Sequence, residues 1–346
     1  MRAWDVVRAW GCILRGYAPA LSIEITKECP LSCPGCYAFQ PEHVGGLALK
    51  SFADLKGAEL VRGVTAVVER HRPIVVYLVG GEPLVRYREL GEILPRICER
   101  EIDVRVVTSA VRPIPLEWSK LRRLAIVVSI DGLQPEHDQR RKPATYERIL
   151  KHIEGHRIVV HATVTSHMMG RDDYLEEFVR FWSERPEVHR IQVSFYTPQM
   201  GEDTVEILTR EMRERAVREL NRLIPLYPKI QLNAEVLKSY LNPPKNPQAC
   251  LFARVTRTLS ADLKSEVKPC QFGGTPNCSE CGCLGSMVLH AVGERRLPGG
   301  VKFSALFEAS EKVGSAVRWA RERCRSITAG LGSTEAPARP FEVEPR

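Results

Sequence analysis

The sequence contains no run of the roughly 18 to 20 uninterrupted apolar residues that a membrane-spanning helix requires, which argues against an integral membrane protein. Nor does its N-terminus read as a secretion signal. The stretch MRAWDVVRAWGCILRGY, Met1 to Tyr17, scatters Asp5 and three arginines among its apolar residues, whereas a signal peptide keeps its charge ahead of an apolar block. The expected compartment is the cytosol. Thiols there stay reduced, so the eleven cysteines point to metal or redox chemistry instead of a disulfide framework. A disordered composition is also missing, because 44% hydrophobic residues in a chain of 346 suffice for one large α/β domain and a smaller module. So is a concentrated basic block. The net charge is +8, but Lys and Arg are spread among 42 acidic residues, with RRKPATYER from Arg140 the densest basic spot. This pattern suits a solvated basic surface around an acidic small-molecule ligand, and no nucleic-acid partner is expected.

What is present is alternation. Six short β-branched runs are bounded by turn residues: LSIEIT from Leu21, IVVYLV from Ile74, DVRVVTS from Asp103, LAIVVSI from Leu124, RIVVHATVT from Arg157 and RIQVSFY from Arg190. Between them lie helical periodicities beginning at Ser51 (read as an N-cap), Tyr87, Thr145, Arg171 and Thr209, while the third connection, AVRPIPLEWSKLRR, is short and broken by proline. Apolar strands separated by helices predict a parallel sheet covered on both faces, here a partial (βα)6 barrel of the TIM type. Chemistry in such folds sits at the C-terminal ends of the strands.

Every unusual short motif follows a strand. After the first comes TKECPLSCPGCYA, with Cys29, Cys33 and Cys36 spaced C-x3-C-x2-C; after the second GGEP, Gly80 to Pro83; after the third Thr108 and Ser109; after the fourth SIDG, with Ser129 and Asp131. Three thiolates are one ligand short of a closed metal site, and a [4Fe-4S] cluster held by three cysteines leaves one iron open to chelate an amino and a carboxylate group placed side by side. Zinc is the competing reading, with His43 the one close candidate for a fourth ligand. Thr108 and Ser109 read equally as strand-end caps, and Asp131 with Gly132 as a turn.

These motifs together resemble the radical S-adenosylmethionine superfamily, over roughly Leu21 to Glu202. Cys29, Cys33 and Cys36 match its cluster signature, with Gly35 where an aromatic residue is usual and Tyr37 following the last cysteine. Gly80, Gly81, Glu82 and Pro83 match the motif that contacts the methionine amino group of the cofactor. The resemblance implies further cofactor contacts from Thr108, Ser109 and Ser129. The loop VSIDGLQPEHDQRRKPATYERILKHI, with His137, Asp138, Thr145 and Tyr146, resembles relatives that carry an extra cluster domain. An arginine of that loop, Arg140 or Arg141, could pair with the cofactor carboxylate; Arg141 is the residue chosen.

Beyond the sixth strand the composition shifts. A proline-rich stretch, LNPPKNPQ from Leu241, precedes Cys250, Cys270, Cys278, Cys281 and Cys283. The unit from Cys250 to Gly273 resembles the first half of the SPASM and twitch auxiliary-cluster modules, in which a hairpin ends in V-x-P-C, here Val267 to Cys270. One auxiliary [4Fe-4S] cluster fits the count best, with one of the five cysteines left over and zinc again the competitor. The expected organisation is an N-terminal amphipathic helix over 1–18, the barrel over 19–225, a linker over 226–249, the cysteine-rich module over 250–325 and a disordered tail over 326–346. Cys12, Cys98 and Cys324 are isolated and read as packing residues. In the N-terminal helix Trp4, Val7, Trp10, Leu14 and Tyr17 recur at helical spacing; docking on the barrel and contact with a membrane surface are both open.

The function that the resemblance implies is an oxidoreductase or maturase that cleaves S-adenosylmethionine reductively to a 5′-deoxyadenosyl radical, fed by a reducing partner such as flavodoxin or ferredoxin. Its substrate is expected to be a peptide or protein. A small molecule or lipid is the alternative, and a non-catalytic iron-sulfur carrier or metal-binding interaction protein is the reading of a different class.

Overall fold

In a computed structural model, which describes residues 3–143 and 146–331, the six expected runs become parallel strands: β1 (Ala20–Glu24), β2 (Val75–Val79), β3 (Asp103–Thr108), β4 (Leu124–Ser129), β5 (Ile158–Val164) and β6 (Val188–Phe195). A seventh, β7 (Thr256–Leu259), lies outside β1, so that the sheet order is β6-β5-β4-β3-β2-β1-β7. The connections are helical. After α1 (Ala3–Leu14) come α2 (Gly57–His71), α3 (Tyr87–Cys98), α4 (Glu136–Arg140), α5 (Tyr146–His152), α6 (Tyr174–Glu184), α7 (Arg210–Leu223), α8 (Ala234–Leu241), α9 (Leu251–Val255), α10 (Leu284–Glu294) and α11 (Phe303–Leu331).

Alternation along the strands sorts the side chains. Leu21, Ile23, Val76, Leu78, Val104, Val106, Val128 and Val160 are fully buried in one continuous core with the helices, each worth about 1.5 to 3 kcal/mol of apolar burial. The intervening positions point to the other side of the sheet and carry polar groups, including Ser22, Glu24, Arg105, His161, Ser194 and Thr258. A strand set with an apolar outer face and a polar inner one is a wall around a polar chamber.

Four boundaries differ from the sequence reading. Ser51 does not cap α2; it closes a 3-10 turn, Leu49–Ser51, and the helix begins at Gly57. The reason is Asp54, whose carboxylate is drawn away to the Thr26 hydroxyl, the Lys27 N–H and Arg86. The stretch 226–249 is not all linker. Asn233 caps α8 by accepting from the Val236 N–H at 2.9 Å, and Tyr240 stacks on Phe195 while donating to the Val193 carbonyl at 2.6 Å, which fixes α8 to β6. The cysteine-rich segment also joins the barrel directly, since Thr256 to Leu259 pair in register with Ala20 to Ile23. Finally, α11 continues to Leu331, into the segment read as a tail; residues 332–346, like Ala144 and Thr145, lie outside the described residues.

Helix α1 docks on α11. Trp10 meets Phe303 and Phe307 edge-on at 5.2 and 6.3 Å, and the helices cross so closely at Gly314 that a Cβ there would strike the Ile13 carbonyl oxygen. Trp4, Val7 and Leu14 remain exposed. Among the described residues no helix is long and apolar enough to cross a membrane.

Candidate active site

The loop after β1 carries Cys29, Cys33 and Cys36, all half-buried and none in a disulfide. It is stapled to the loop after β2: the Gly81 N–H donates to the Thr26 carbonyl at 2.7 Å and the Glu82 N–H to the Glu28 carbonyl at 2.8 Å. Side chains would break this contact. A Cβ on Gly81 would collide with the Glu28 carbonyl oxygen, and Gly80 adopts φ +120°, a conformation that favours glycine, where a Cβ would stand 2.7 Å from the Thr26 carbonyl oxygen. Gly35 is equally constrained, with φ +62° and the Tyr196 hydroxyl where a Cβ would stand.

Beneath the loop lies an ionic mount. Arg86, just beyond Pro83, places one nitrogen 2.5 Å from Asp54 and reaches Glu28, which Lys56 also meets at 2.6 Å. The Arg86 and Lys56 hydrogen bonds pull the Glu28 carboxyl down to about 2. A cation placed shortly after GGEP was the available signal for Arg86, but nothing in its spacing named Glu28 and Asp54 as partners.

Glu82 is buried and bound to the ends of two strands. Its carboxylate accepts from the Leu84 N–H at 2.9 Å, the Ser109 N–H at 2.7 Å and the Thr108 hydroxyl. Burial raises its pKa, and these donors oppose the rise. Thr108 and Ser109 therefore do act as strand-end partners, and Thr108 also accepts from the Ala110 N–H at 3.0 Å. Pro83 opens the 3-10 turn that Glu82 caps.

On the other side, Asp131 is the hub of a buried network. Its carboxylate binds Arg140, the Arg141 Nε at 2.8 Å and the Thr163 N–H at 2.9 Å. Burial alone would raise its pKa, but Arg140 and Arg141 hold it well below the usual carboxylate range. Arg140 is committed further, to both oxygens of Glu206 at 2.9 and 3.1 Å. Arg141 instead donates to the Ser109 hydroxyl at 2.9 Å, while both arginines oppose the rise that burial imposes on the Cys33 thiol. The structure thus separates the two arginines that the sequence left equivalent: Arg141 bridges the loops after β3 and β4 toward the cysteines, and Arg140 secures the network from behind. Ser129 is buried at the end of β4, in register with His161.

His43 is not a fourth ligand for these cysteines. Its Nε2 meets Glu24 Oε1 at 2.5 Å and its Nδ1 donates to the Phe272 carbonyl at 3.0 Å, so both ring nitrogens are used. The sequence hint was Glu24 itself, a lone acid inside an apolar strand. Burial pushes the three thiols up, Cys29 to about 12. Left to the protein alone they would be neutral; a cationic centre makes them thiolates.

The five C-terminal cysteines line a single cavity together with Phe252, Gln271, Phe272, Pro276 and Ser286. Cys250 caps α9 and Cys283 caps α10, while Cys278 opens a 3-10 turn. Gln271 donates to Cys283 Sγ at 3.3 Å, and Cys250 Sγ lies 3.2 Å from the Ser286 hydroxyl. Burial again raises thiols here, Cys270 to about 12 and Cys281 to about 11, with Cys278 and Cys283 also pushed up. Four thiolates on one zinc must lie within about 4 Å of one another, given bonds near 2.3 Å. Five cysteines face one cavity, and among the described residues there is no ready-made group of three or more His, Cys, Asp or Glu side chains that could hold a metal ion. Both donor sets are all thiol, the ligand chemistry shared by iron-sulfur clusters and structural zinc.

Residues 23–183 match a family described as the Radical SAM superfamily. A PqqA peptide cyclase from Rhizobium meliloti is 27% identical over 271 residues, covering 74% of this chain and 68% of that protein. Among solved structures, Streptococcus suis SuiB bound to the precursor peptide SuiA superposes with a TM-score of 0.56 at 15% identity, over 81% of this chain and 67% of that one. The protein anSMEcpe with bound AdoMet and Cp18Cys peptide gives 0.52 at 14% identity, over 80% and 81%.

Proposed function

Because residues 23–183 of this chain match the Radical SAM superfamily, we propose that its Cys29, Cys33 and Cys36 hold a [4Fe-4S] cluster that cleaves S-adenosylmethionine and that the resulting radical is turned on a peptide or protein. The cluster, when bound, supplies one electron to the sulfonium and an open iron for the amino acid moiety of the cofactor. The protein does the rest. The observation that carries this reading is the double backbone staple between the cysteine loop and GGEP, which brings the three thiols beside Glu82 and the Ser109–Arg141 pair. Arg141 stands where a carboxylate would find a guanidinium, and Glu82 where an ammonium would find a buried carboxylate. Glu82 keeps lone pairs beyond its three internal donors, since an ionised carboxylate offers about four acceptor sites. The polar interior of the barrel then separates the reacting carbon from bulk water.

The five-cysteine cavity is assigned to one auxiliary [4Fe-4S] cluster, with a low-potential one-electron protein of the flavodoxin or ferredoxin type as donor. A peptide substrate is supported by the relative named for cyclising a peptide. The test is direct. Anaerobically reconstituted, dithionite-reduced protein should release 5′-deoxyadenosine and methionine from S-adenosylmethionine, and the Cys29→Ala, Cys33→Ala, Cys36→Ala triple variant neither. Formation of S-adenosylhomocysteine or methylthioadenosine alone would overturn the assignment.

A further inference from the structure

Between the two groups of cysteines the chain places two aromatic rings in contact. Tyr37 directly follows Cys36, and Phe272 stands two residues after Cys270. Their rings meet edge to face with centroids 5.2 Å apart. Ring and thiol share one tight turn, closed by the Gly273 N–H on the Cys270 carbonyl at 2.9 Å. At the other end the Phe39 N–H donates to the Cys36 carbonyl at 3.1 Å, which closes the turn that carries Tyr37.

The contact is clamped. His43 lies 5.7 Å from the Tyr37 ring, centroid to centroid, and holds the Phe272 carbonyl with one nitrogen and Glu24 on β1 with the other. His43 and Glu24 are fully buried. Gly273 packs so tightly on His43 that a Cβ would strike its carbonyl oxygen. A barrel strand, the cysteine loop and the C-terminal module are thereby locked at one point, and that point is the aromatic pair.

We infer that Tyr37 and Phe272 form the electronic contact between the two cysteine sites, with the Glu24–His43 pair as the clamp that holds the rings together. This rests on the assignment of a cluster to each site. One electron leaves the reduced C-terminal centre and arrives at the oxidised barrel centre through the rings, with no bond made or broken and no proton transferred. The same contact runs in reverse when the barrel centre is the reduced one. Positioning, not chemistry at the rings, is their contribution, since neither side chain needs to be oxidised for close-packed groups to couple the two ends.

The experiment loads both sites in the full chain and counts iron and sulfide. Photoreduced deazaflavin then delivers less than one electron per chain, and freeze-quench EPR follows the redistribution between the two centres. In Tyr37→Leu and in Phe272→Leu the approach to the final distribution should slow several-fold while the final distribution, fixed by the two potentials, stays as in the wild type. Tyr37→Phe, which keeps the ring, should redistribute at the wild-type rate. Wild-type rates in both leucine variants, with both centres intact, would overturn the contact. Absence of a second centre in the wild type would instead overturn the cluster assignment, and iron content distinguishes the two failures. Phe272→Leu leaves the barrel loop untouched, so it reports even if Tyr37→Leu loses its cluster.

Discussion

Cys29, Cys33 and Cys36 sit in one loop held by a set of polar contacts: backbone staples to Gly81 and Glu82, the Arg86–Glu28–Asp54 mount below, and Arg141 alongside. The five C-terminal cysteines come from two helix caps, a turn and the end of a hairpin, and face a cavity lined by Phe252, Phe272 and prolines. The first site is a polar cradle, while the second is a cavity lined mainly by sulfur, aromatic rings and prolines, with Gln271 and Ser286 as polar contacts to the sulfurs. A cluster that must bind a zwitterion needs fixed charges around it, whereas one that only accepts or passes an electron is better kept dry and apolar. On the proposed assignment, the difference in lining corresponds to a difference in task.

The sharpest way to break the comparison is to empty each site in turn. Fully reconstituted protein should carry about eight irons per chain, two clusters of four. The triple alanine variant of the barrel loop should lose about half of that iron and all release of 5′-deoxyadenosine. Replacing Cys250 and Cys270 should lose the other half and spare much of the uncoupled cleavage. Elemental analysis and chromatography of the products check both outcomes. Zinc in the C-terminal site, or loss of all iron from the barrel variant, would contradict the division.

Next in size is the Asp131 hub. Asp131→Asn leaves Arg140 and Arg141 buried against an amide, and breaking a buried ion pair in this way costs about 3 to 5 kcal/mol. The pH dependence has a definite sign. The folded carboxyl lies below its unfolded value, so its stabilisation is complete above the unfolded value, about 3.9, and fades as pH falls below it. Urea denaturation should show the wild type losing stability from pH 5 to 3, and Asp131→Asn losing less over the same range. A variant with the wild-type slope would show that the hub contributes nothing through its charge.

The strand–helix series, the cysteine claw and GGEP were legible because each is local: a period, a spacing, a motif after a strand. What escaped is non-local. Strand β7 has four residues, two of them threonine and one arginine, too short and polar to read as a strand until β1 is there to pair with it. Asp54 resembles an acid near a helix start, and only the fold shows it facing Arg86. Arg140 and Arg141 are adjacent in sequence and identical in type, so only the positions of Glu206 and Ser109 tell them apart. The expected Ser51 cap and the linker over 226–249 fail for the same reason, since tertiary partners outbid local propensity. Choosing four of the five C-terminal cysteines is beyond spacing, because all five face the cavity.

Glu82 separates a structural role from a ligand role. In Glu82→Gln the amide nitrogen must face one of three donors, the Leu84 N–H, the Ser109 N–H or the Thr108 hydroxyl, and one buried donor left unpaired costs about 1 to 3 kcal/mol. Stability should fall by that amount in thermal or urea denaturation. If Glu82 also receives the cofactor ammonium, the variant should bind S-adenosylmethionine more weakly in calorimetry with iron content unchanged. Reduced stability with unaltered affinity would confine Glu82 to joining the strand ends.

The smallest effect belongs to the ionic mount, and it tests whether the cradle depends on fixed charge at its periphery as well as at its centre. The Glu28 side chain is 41% exposed while Arg86 is 7% exposed, so solvent screens the pair and an exposed ion pair is worth about 1 kcal/mol or less. The Arg86 and Lys56 hydrogen bonds depress the Glu28 carboxyl to about 2. Its contribution is then fully present above the unfolded value, near 4.3, and is lost as pH falls from there toward 2. Glu28→Gln should lower stability slightly at pH 7 and not at all near pH 2, measured as the difference in urea midpoint against the wild type. High salt should shrink the pH 7 difference without touching that of Asp131→Asn, because screening reaches the rim and not the buried hub. A loss in Glu28→Gln as large as that in Asp131→Asn would mean that the mount is part of the core of the site, and that the loop has no solvent-screened edge.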